Sequence, residues 1–309
     1  QAAVMEAGVR ALSTGDITFV NNYDWLSKLT ALDFMRDVGK HFTVNAMIKK
    51  ESVAKRMESE NGISYTEFSY SLLQGYDYLH LHQHNGADVQ IGGSDQWGNL
   101  IAGVELIRRV TGHEAFALTM PLIVDKATGK KFGKSMGNAV WLSRHKTTPY
   151  ELYQFWLNTS DESVIDYLKL FTFISLDEIA TIETSHEADR SARTAQRRLA
   201  DEVVRFVHGE DARLGASLAT DTLFGSTTLD SLTSKEQTLL KAEAPIKTIT
   251  NSPLIDLLIE TELATSKREA RQFISEGAIA LNDTILTDEM VILSEQISDI
   301  AILRRGKKN

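Results

Sequence analysis

The stretch ADVQIGGSDQWGNLIAGVELIRRVTG, residues 87–112, decides the fold. It begins with a short apolar segment, residues 87–91, which predicts a β-strand that runs directly into a pair of glycines. The apolar residues after Trp97 recur at helical spacing as far as Gly112, so we expect a helix that a glycine ends. A strand, a glycine-rich turn and a helix in succession are typical of an α/β domain with a parallel sheet. In such domains ligands bind outside the carboxyl ends of the strands.

The segments around this stretch extend the α/β pattern. Helical periodicity fills most of residues 25–84, and a second strand, ALTMPLIVD, is predicted over residues 117–125. A loop rich in glycine and lysine, residues 128–138, follows the second strand. Side chains that bind ligands are therefore expected just after both strands.

The rest of the chain is predicted to form smaller units. Pro149 opens a helical stretch, and a segment rich in serine and threonine with little periodicity, FGSTTLDSLTSKEQ, follows it. We therefore predict four parts, an α/β domain, an α-helical domain, a linker and a small α+β domain, over residues 1–148, 149–223, 224–249 and 250–309.

Composition excludes several classes of site. The chain has 309 residues, 42% of them hydrophobic and 24% charged, which is typical of globular proteins. It has no cysteine, so disulfides, thiolate-bound zinc and a thiol nucleophile are excluded. No leader and no apolar run long enough to span a bilayer are found, so no membrane partner is predicted and the cytoplasm is the expected location. The net charge of −9 argues against indiscriminate binding of nucleic acid but allows local basic patches.

The glycine pair and the polar residues after it form the first candidate site. The backbone at Gly92 can approach a ligand closely, and Asp95 and Gln96 follow at the start of the next helix. A carboxylate there suits the hydroxyls of a ribose. Taken alone, however, the string favours a tight turn in which Asp95 caps the helix and no ligand is needed.

The segment GKKFGKS, residues 129–135, forms the second candidate site. Its lysines and Ser135 lie on a glycine-rich backbone, and mobile ammonium groups suit a polyphosphate. Gly129 and Gly133 are one residue too close for a standard phosphate-binding loop. A solvated surface loop explains the composition equally well.

A polar helix face forms the third candidate site. Tyr70, Gln74 and Asp77 share one face of the predicted helix FSYSLLQGYDYL, opposite a face of apolar side chains. By itself this pattern favours a solvated face. Three histidines follow at alternating positions: His80, His82 and His84. Side chains two residues apart diverge on a helix, so no metal site is predicted there, and Trp25 is assigned to a core or an interface.

Read together and in this order, YSLLQGYD, QIGGSDQWGN and KFGKS resemble the motifs of tyrosyl-tRNA synthetases, which are class I aminoacyl-tRNA synthetases. NNYDW and TTPYELYQFW also fit, so the resemblance covers essentially the whole chain. It implies a Rossmann-like parallel-sheet catalytic domain, an α-helical domain and a small RNA-binding domain. It also implies a ligase that activates tyrosine with ATP, accompanied by Mg²⁺, and transfers it to tyrosine tRNA. The family is homodimeric, and the helices around residues 40–70 are our candidate interface.

The resemblance assigns a role to each candidate residue. Asp77 would accept the hydrogen bond of the tyrosine phenol, and an unpaired Asp77 would reject phenylalanine, as is known for this family. The residues implied for tyrosine binding are Asn22, Tyr70, Gln74, Asp77, Gln90 and Gln96. Those implied for ATP and the adenylate are Gly92, Asp95 and Lys134. Those implied for catalysis, as groups that close over the pyrophosphate, are Lys131, Lys134 and Ser135.

The end of the chain resembles an RNA-binding module named after ribosomal small-subunit protein four, on the segment TSKREARQFISEGAIALND. Residues 250–309 contain seven Lys or Arg and ten Asp or Glu, so this part is not basic as a whole. Its basic residues are grouped, which suits contacts with phosphates, although a solvated tail would look the same. The candidate tRNA contacts are Lys267, Arg268, Arg271, Arg304, Arg305, Lys307 and Lys308 and, for the acceptor arm, Lys50, Arg108 and Arg109.

One family motif, of the kind His-x-Gly-His with a tyrosine nearby, is not found. We therefore expect the catalytic domain to be incomplete at its N-terminus and the chain by itself to activate tyrosine poorly or not at all. A noncatalytic RNA-binding protein on a synthetase scaffold is the alternative, but retention of Asp77, Gln96 and the loop lysines argues against it. The polar face on the helix likewise argues against a tryptophan-specific relative.

Overall fold

The computed structural model describes residues 17–306, except residues 61, 125, 127, 128, 130–139, 226, 250, 283, 294–296 and 298. The chain divides into two compact units, the first mainly residues 18–125 and the second mainly residues 133–309. None of the helices in the described part of the chain is long and apolar enough to cross a membrane.

The first unit starts with short helices that lead into one long helix. Thr30, Thr43 and Ser64 each accept a hydrogen bond from a backbone N–H in the first turn of the helix that follows. The long helix ends at Gly86, whose φ of 67° lies in the left-handed region that favours glycine. The helices are α1 (Tyr23–Leu26), α2 (Ala31–Asp37), α3 (Val44–Ile48), α4 (Glu51–Met57) and α5 (Tyr65–Asn85), with a 3-10 turn at Gly39–His41.

A strand, a helix and a second strand form the centre of the first unit, and the predicted parallel sheet is confirmed. They are β1 (Val89–Gly93), α6 (Trp97–Thr111) and β2 (Phe116–Met120), and a 3-10 turn, Ser94–Gln96, joins the first two. The strands pair in parallel, with Val89 opposite Phe116. Strand β2 was predicted to continue to residue 125, but it ends before Pro121, because proline has no N–H to donate to the ladder.

Helices α5 and α6 pack closely because glycines lie at their contact. A Cβ atom on Gly103 would lie 2.8 Å from Cδ1 of Tyr78, and one on Gly75 would lie 3.5 Å from the backbone of α6. Tyr78 is 1% exposed, and its hydroxyl lies 2.8 Å from the carbonyl oxygens of both Asp88 and Phe116. This side chain therefore joins the helix pair to the beginnings of both strands.

One face of the two-stranded sheet is apolar and exposed. The pairing places Val89 and Ile91 of β1 beside Phe116 and Leu118 of β2, and each of the four side chains is more than half exposed. Parallel sheets are usually covered on both faces. Within the part of the chain that the structure describes, this face has no covering layer.

The second unit begins with helices. Pro149 opens the first of them, as predicted, and Thr148 and Glu151 form a capping box there. The helices are α7 (Pro149–Leu157), α8 (Val164–Phe171), α9 (Leu176–Ala188), α10 (Thr194–His208), α11 (Glu210–Phe224) and α12 (Ser234–Glu243).

Helix α12 lies within the predicted linker, residues 224–249. It begins with a second capping box, formed by Thr233 and Glu236, and it packs on α11 so closely that a Cβ atom on Gly215 would lie 2.6 Å from the carbonyl oxygen of Leu239. This segment therefore contains packed helix, while the three boundaries between the four parts stay predictions.

The end of the second unit has the α+β composition predicted for it. Its elements are α13 (Leu254–Glu260), α14 (Lys267–Ser275), β3 (Ile279–Leu281), β4 (Thr284–Ile285) and β5 (Leu303–Arg305). Strand β3 lies in the middle and pairs antiparallel with β4 and β5. The two helices and the sheet enclose a small apolar core that includes Leu254, Leu258, Ala270, Ile274 and Ile279.

Candidate active site

Asp77 on α5 is the centre of a cluster of three polar side chains. Its Oδ2 accepts a hydrogen bond from Nδ2 of Asn22 at 3.0 Å, and its Oδ1 accepts one from Nε1 of Trp25 at 2.7 Å. Asn22 immediately precedes α1 and Trp25 lies within it. Two donors aimed at the two oxygens of one carboxylate hold it in a fixed orientation.

Trp25 was not predicted to belong to the site. Its indole also stacks on His80, with ring centroids 4.3 Å apart and an interplanar angle of 16°. His80 in turn stacks on His84, one helical turn later, at 4.1 Å and 18°. Burial, together with His84 and Lys28, lowers the pKa of His80 below its ordinary value, although Asp77 opposes the shift.

Tyr70 and Gln74 lie on α5 in the two turns before Asp77. Tyr70 is 57% exposed and Gln74 is half-buried. The opposite side of the helix carries Leu72 and Leu79, and both are buried. Phe68 and Tyr76, also predicted for the apolar face, are half-buried like Gln74 and Asp77, so the predicted separation of the two faces is only partly confirmed. On the polar face, Tyr70 is the exposed residue.

The glycine pair at the end of β1 makes room for side chains of the turn that follows. A Cβ atom on Gly92 would lie 3.2 Å from Cβ of Gln96, and one on Gly93 would lie 2.9 Å from Oδ1 of Asp95. Gln96 Oε1 accepts a hydrogen bond from Nδ2 of Asn99 at 3.2 Å. The turn therefore holds Asp95 and Gln96 against the end of the strand, where ligands of parallel sheets bind.

Gln90, the second residue of β1, carries an unsatisfied acceptor. Its Oε1 atom is buried and has no hydrogen-bond partner among the described residues. Such a group costs about 1–3 kcal/mol when it stays unpaired. A ligand that donates a hydrogen bond there would remove this cost.

The structure thus brings the candidate residues together in two groups. Asn22, Trp25 and Asp77 meet on α5, while Asp95 and Gln96 meet the glycines of β1. The close contact between α5 and α6 connects the two groups. The loop residues Lys131, Lys134 and Ser135 lie outside the described residues.

The predicted acceptor-arm contacts in the first unit make bonds within the chain. Nζ of Lys50 donates to the carbonyl oxygen of Gly98 at 3.1 Å, and burial lowers the pKa of this lysine. Arg108 pairs with Glu105 at 2.9 Å, and Arg109 donates to the carbonyl oxygen of His41. Side chains that include Lys50, Glu105 and Arg109 line a cavity of about 160 Å³.

Most of the predicted tRNA contacts near the chain end also have partners within the chain. Lys267 pairs with Asp256 at 2.6 Å and Arg271 with Glu289 at 2.8 Å. Nη2 of Arg304 donates to the carbonyl oxygen of Thr222 at 2.8 Å. Arg305 donates to the carbonyl oxygen of Leu263 and lies over the ring of Phe273. Arg268 is exposed, and Lys307 and Lys308 lie outside the described residues.

Comparisons with known proteins identify the family of the chain. Residues 3–225 match the family model of class I tRNA synthetases for tryptophan and tyrosine, and residues 236–309 match the model of the SYY-like C-terminal domain of tyrosine–tRNA ligases. The tyrosine–tRNA ligase of Streptococcus mutans is 50% identical over 295 residues, which are 94% of this chain and 70% of that protein. That of Lactococcus lactis subsp. cremoris is 51% identical over 302 residues, which are 93% of this chain and 70% of that protein.

Solved structures lead to the same family. The crystal structure of a C-terminally truncated mitochondrial tyrosyl-tRNA synthetase from Aspergillus nidulans has a TM-score of 0.61 and 31% identity, and the match covers 72% of this chain and 66% of that one. A corresponding structure from Coccidioides posadasii has a TM-score of 0.57 and 29% identity, over 70% and 64% of the two chains. The motifs, the βαβ unit and these similarities together show that the chain belongs to the tyrosyl-tRNA synthetases, in class I of the aminoacyl-tRNA synthetases.

Proposed function

We propose that Asp77 binds the phenol of tyrosine in the reaction of this family, tyrosine–tRNA ligation. The family's substrates are tyrosine, ATP and tRNA. The observation that carries the proposal is the convergence of Asn22 and Trp25 on the Asp77 carboxylate. An ionised carboxylate has about four acceptor positions, so two remain after these bonds and one suits a phenolic O–H. Phenylalanine has no such donor and would leave the position unsatisfied.

Tyr70 and Gln74 are proposed to bind the other end of the amino acid. The helical rise separates Gln74 from Asp77 by roughly 4.5 Å and Tyr70 from Asp77 by roughly 10 Å. A phenolic oxygen and an amide oxygen can both accept hydrogen bonds from an ammonium group. The open face of α5 would therefore hold tyrosine along its length, with the phenol at Asp77.

The end of β1 is proposed to bind the nucleotide part of the adenylate. Asp95 would accept hydrogen bonds from ribose hydroxyls, with Gly92 beneath it, and Gln96 would contribute polar contacts. The unsatisfied Oε1 of Gln90, earlier in the same strand, supports a ligand donor beside the sheet. Lys131, Lys134 and Ser135 would close over the pyrophosphate, and Mg²⁺ would accompany the ATP.

The chain is also proposed to form a homodimer through the helices around residues 40–70. Val44, Met57 and Tyr65 are each more than half exposed there, and exposed apolar side chains of this size are typical of interfaces. We expect Tyr65→Lys to shift the chain toward monomer in sedimentation, whereas Leu176→Lys, at an equally exposed apolar residue of the second unit, would leave the oligomeric state unchanged. The cytoplasm is the proposed location.

A noncatalytic RNA-binding protein is not favoured. RNA binding would need neither the fixed carboxylate of Asp77 nor the buried acceptor of Gln90. The tRNA contacts proposed from the sequence stay part of the function, and the exposed Arg268 is the strongest of them.

The proposed function is tested by equilibrium binding of tyrosine and phenylalanine to the purified chain. We expect tyrosine to bind and phenylalanine to bind at least about 100-fold more weakly. Asp77→Asn is expected to remove this preference, because the amide no longer offers a charged acceptor. Asp24→Asn, at an exposed carboxylate on α1, is the matched control and should change neither affinity. Tyrosine binding that survives Asp77→Asn with its selectivity intact would overturn the proposal.

A further inference from the structure

Trp25 depends on its neighbours for its orientation. It lies in α1, a helix of four residues with no buried residue and no side-chain cap at its beginning. Two contacts with α5 hold the indole, namely the hydrogen bond from Nε1 to Asp77 and the stack on His80. The hydrogen bond fixes one atom of the indole, whereas the stack fixes the plane of the ring.

His80 lies in the middle of a column of three rings. Trp25 covers one face of its imidazole and His84 the other, at centroid distances of 4.3 Å and 4.1 Å. Nδ1–H of His84 also donates a hydrogen bond to the carbonyl oxygen of His80, at 2.9 Å, which secures the second ring. The column therefore presents a flat, supported surface to the indole.

We propose that His80 is a positioning residue of the tyrosine site: its ring, stacked between Trp25 and His84, fixes the indole in the orientation that donates to Asp77, and it makes tyrosine binding sensitive to pH. The inference rests on the proposed role of Asp77 in binding the phenol. His80 acts through Trp25.

The direction of the pH effect follows from the groups that face His80. Burial, His84 and Lys28 all lower its pKa, while Asp77 raises it, and the ring of Tyr76 lies 6.4 Å away. Burial and the two positively charged neighbours disfavour the protonated imidazole, and the carboxylate of Asp77 only partly offsets them. The stacked arrangement thus favours the neutral ring. Tyrosine affinity should be complete above the ordinary histidine pKa and should fall as the pH drops through the lower pKa of His80.

Two substitutions separate stacking from protonation. His80→Phe keeps a flat ring and removes the titrating group, so tyrosine affinity at pH 7.5 should stay close to that of the wild type and should no longer change on acidification. His80→Ala removes the ring, so the affinity should fall roughly three- to tenfold at every pH. The wild type itself should lose roughly three- to tenfold in tyrosine affinity as the pH drops from 7.5 through the pKa of His80. His145→Phe, at an exposed histidine of the second unit, should reproduce the wild-type profile.

The fluorescence of Trp25 provides a readout that needs no ligand. A protonated imidazole stacked on an indole quenches the emission of the indole. The emission of Trp25 is the wild-type signal minus the signal of the Trp25→Phe variant, and it should change with pH as His80 titrates. His80→Phe should abolish this titration. A Trp25 signal that does not titrate, or that titrates unchanged in His80→Phe, overturns the inference.

The same measurements distinguish this inference from the proposed function. If Asp77→Asn leaves selective tyrosine binding intact, the proposed function fails and the role of His80 in it fails as well. If Asp77→Asn abolishes selectivity while His80→Phe keeps the wild-type pH profile, only the inference about His80 fails.

Discussion

The proposed tyrosine site and the end of the chain differ in what their predicted residues contact. On α5, Asp77 receives two donors from a segment more than 50 residues earlier, and about two acceptor positions of its carboxylate are left for a ligand. Near the chain end, predicted phosphate contacts such as Arg271 and Arg304 bind a carboxylate and a carbonyl of the chain itself. The polar spacing along one helix thus indicated a site, whereas a cluster of positive charges did not indicate which way the side chains point. The predictions below test this contrast.

The largest effect is expected for Trp25→Phe. The variant keeps an aromatic ring for the stack on His80 but removes the N–H that donates to Asp77. Hydrogen bonds to charged groups contribute about 1.5–3 kcal/mol, so tyrosine affinity should fall by about 10- to 100-fold. Equilibrium binding measures the change, with Trp141→Phe in the second unit as the control. Unchanged affinity would show that the hydrogen bond to Asp77 does not contribute to tyrosine binding. The group of donors at Asp77 would then indicate function no better than the basic residues near the chain end.

The helix contact behind the site is tested by a pair of glycines on α6. Gly103→Ala would place a Cβ atom 2.8 Å from Tyr78, so we expect it to lower the free energy of unfolding by about 1–3 kcal/mol. Gly98→Ala on the same helix meets nothing closer than 3.8 Å and should be neutral or stabilising by up to about 1 kcal/mol. Urea denaturation compares them. Equal effects would mean that close packing at Gly103 does not support the site.

Arg304 and Arg268 test the other side of the comparison. Arg304→Ala removes a hydrogen bond to the Thr222 carbonyl and should destabilise the second unit by about 1–2 kcal/mol, with little effect on the salt dependence of tRNA binding. Arg268→Ala, at an exposed position, should leave stability unchanged and reduce the salt slope of tRNA binding by about 1. Filter binding at several salt concentrations measures the slope. The opposite pattern would restore Arg304 as a phosphate contact.

The smallest effect is expected at Glu243, a negative charge that also points inward. Its side chain is 6% exposed and pairs with Arg144 at 2.7 Å. Burial raises the pKa of Glu243, and the pairing with Arg144 only partly offsets this. A raised pKa in the folded state means that stability is greatest at low pH and is lost as the pH rises through that pKa. We compare the unfolding free energy of the wild type with that of Glu243→Gln at two pH values. The wild type minus the variant should be larger at pH 5 than at pH 8, by less than about 1 kcal/mol. A difference that grows with pH would contradict this.

Local patterns predicted the elements well and the contacts between them poorly. The strand, glycine turn and helix of residues 87–112 could be predicted from spacing alone, because the conformation of each residue there depends mainly on residues close to it in the sequence. Helix α12 was missed although Thr233 and Glu236 have the spacing of a capping box, because its serines and threonines resembled a linker. Trp25 could not be assigned to the site, since only tertiary packing brings α1 to Asp77.

The glycine pair shows a different limit. It was expected to bring the backbone close to a ligand, and the structure shows that Asp95 and Gln96 already occupy the space that Cβ atoms would fill. Glycine in a sequence indicates that something lies close to the backbone. It does not indicate whether that neighbour is a ligand or the next turn of the chain.

The glycine contact between α5 and α6 has a further consequence. One helix carries the groups proposed for the amino acid, and the other begins at those proposed for the nucleotide. Because backbone meets side chain there without intervening flexible groups, the two helices can slide past each other only at high cost. If bound tyrosine displaced α5, helix α6 would move with it almost as far, and so would the turn that carries Asp95 and Gln96. Binding of one substrate would then alter the site of the other.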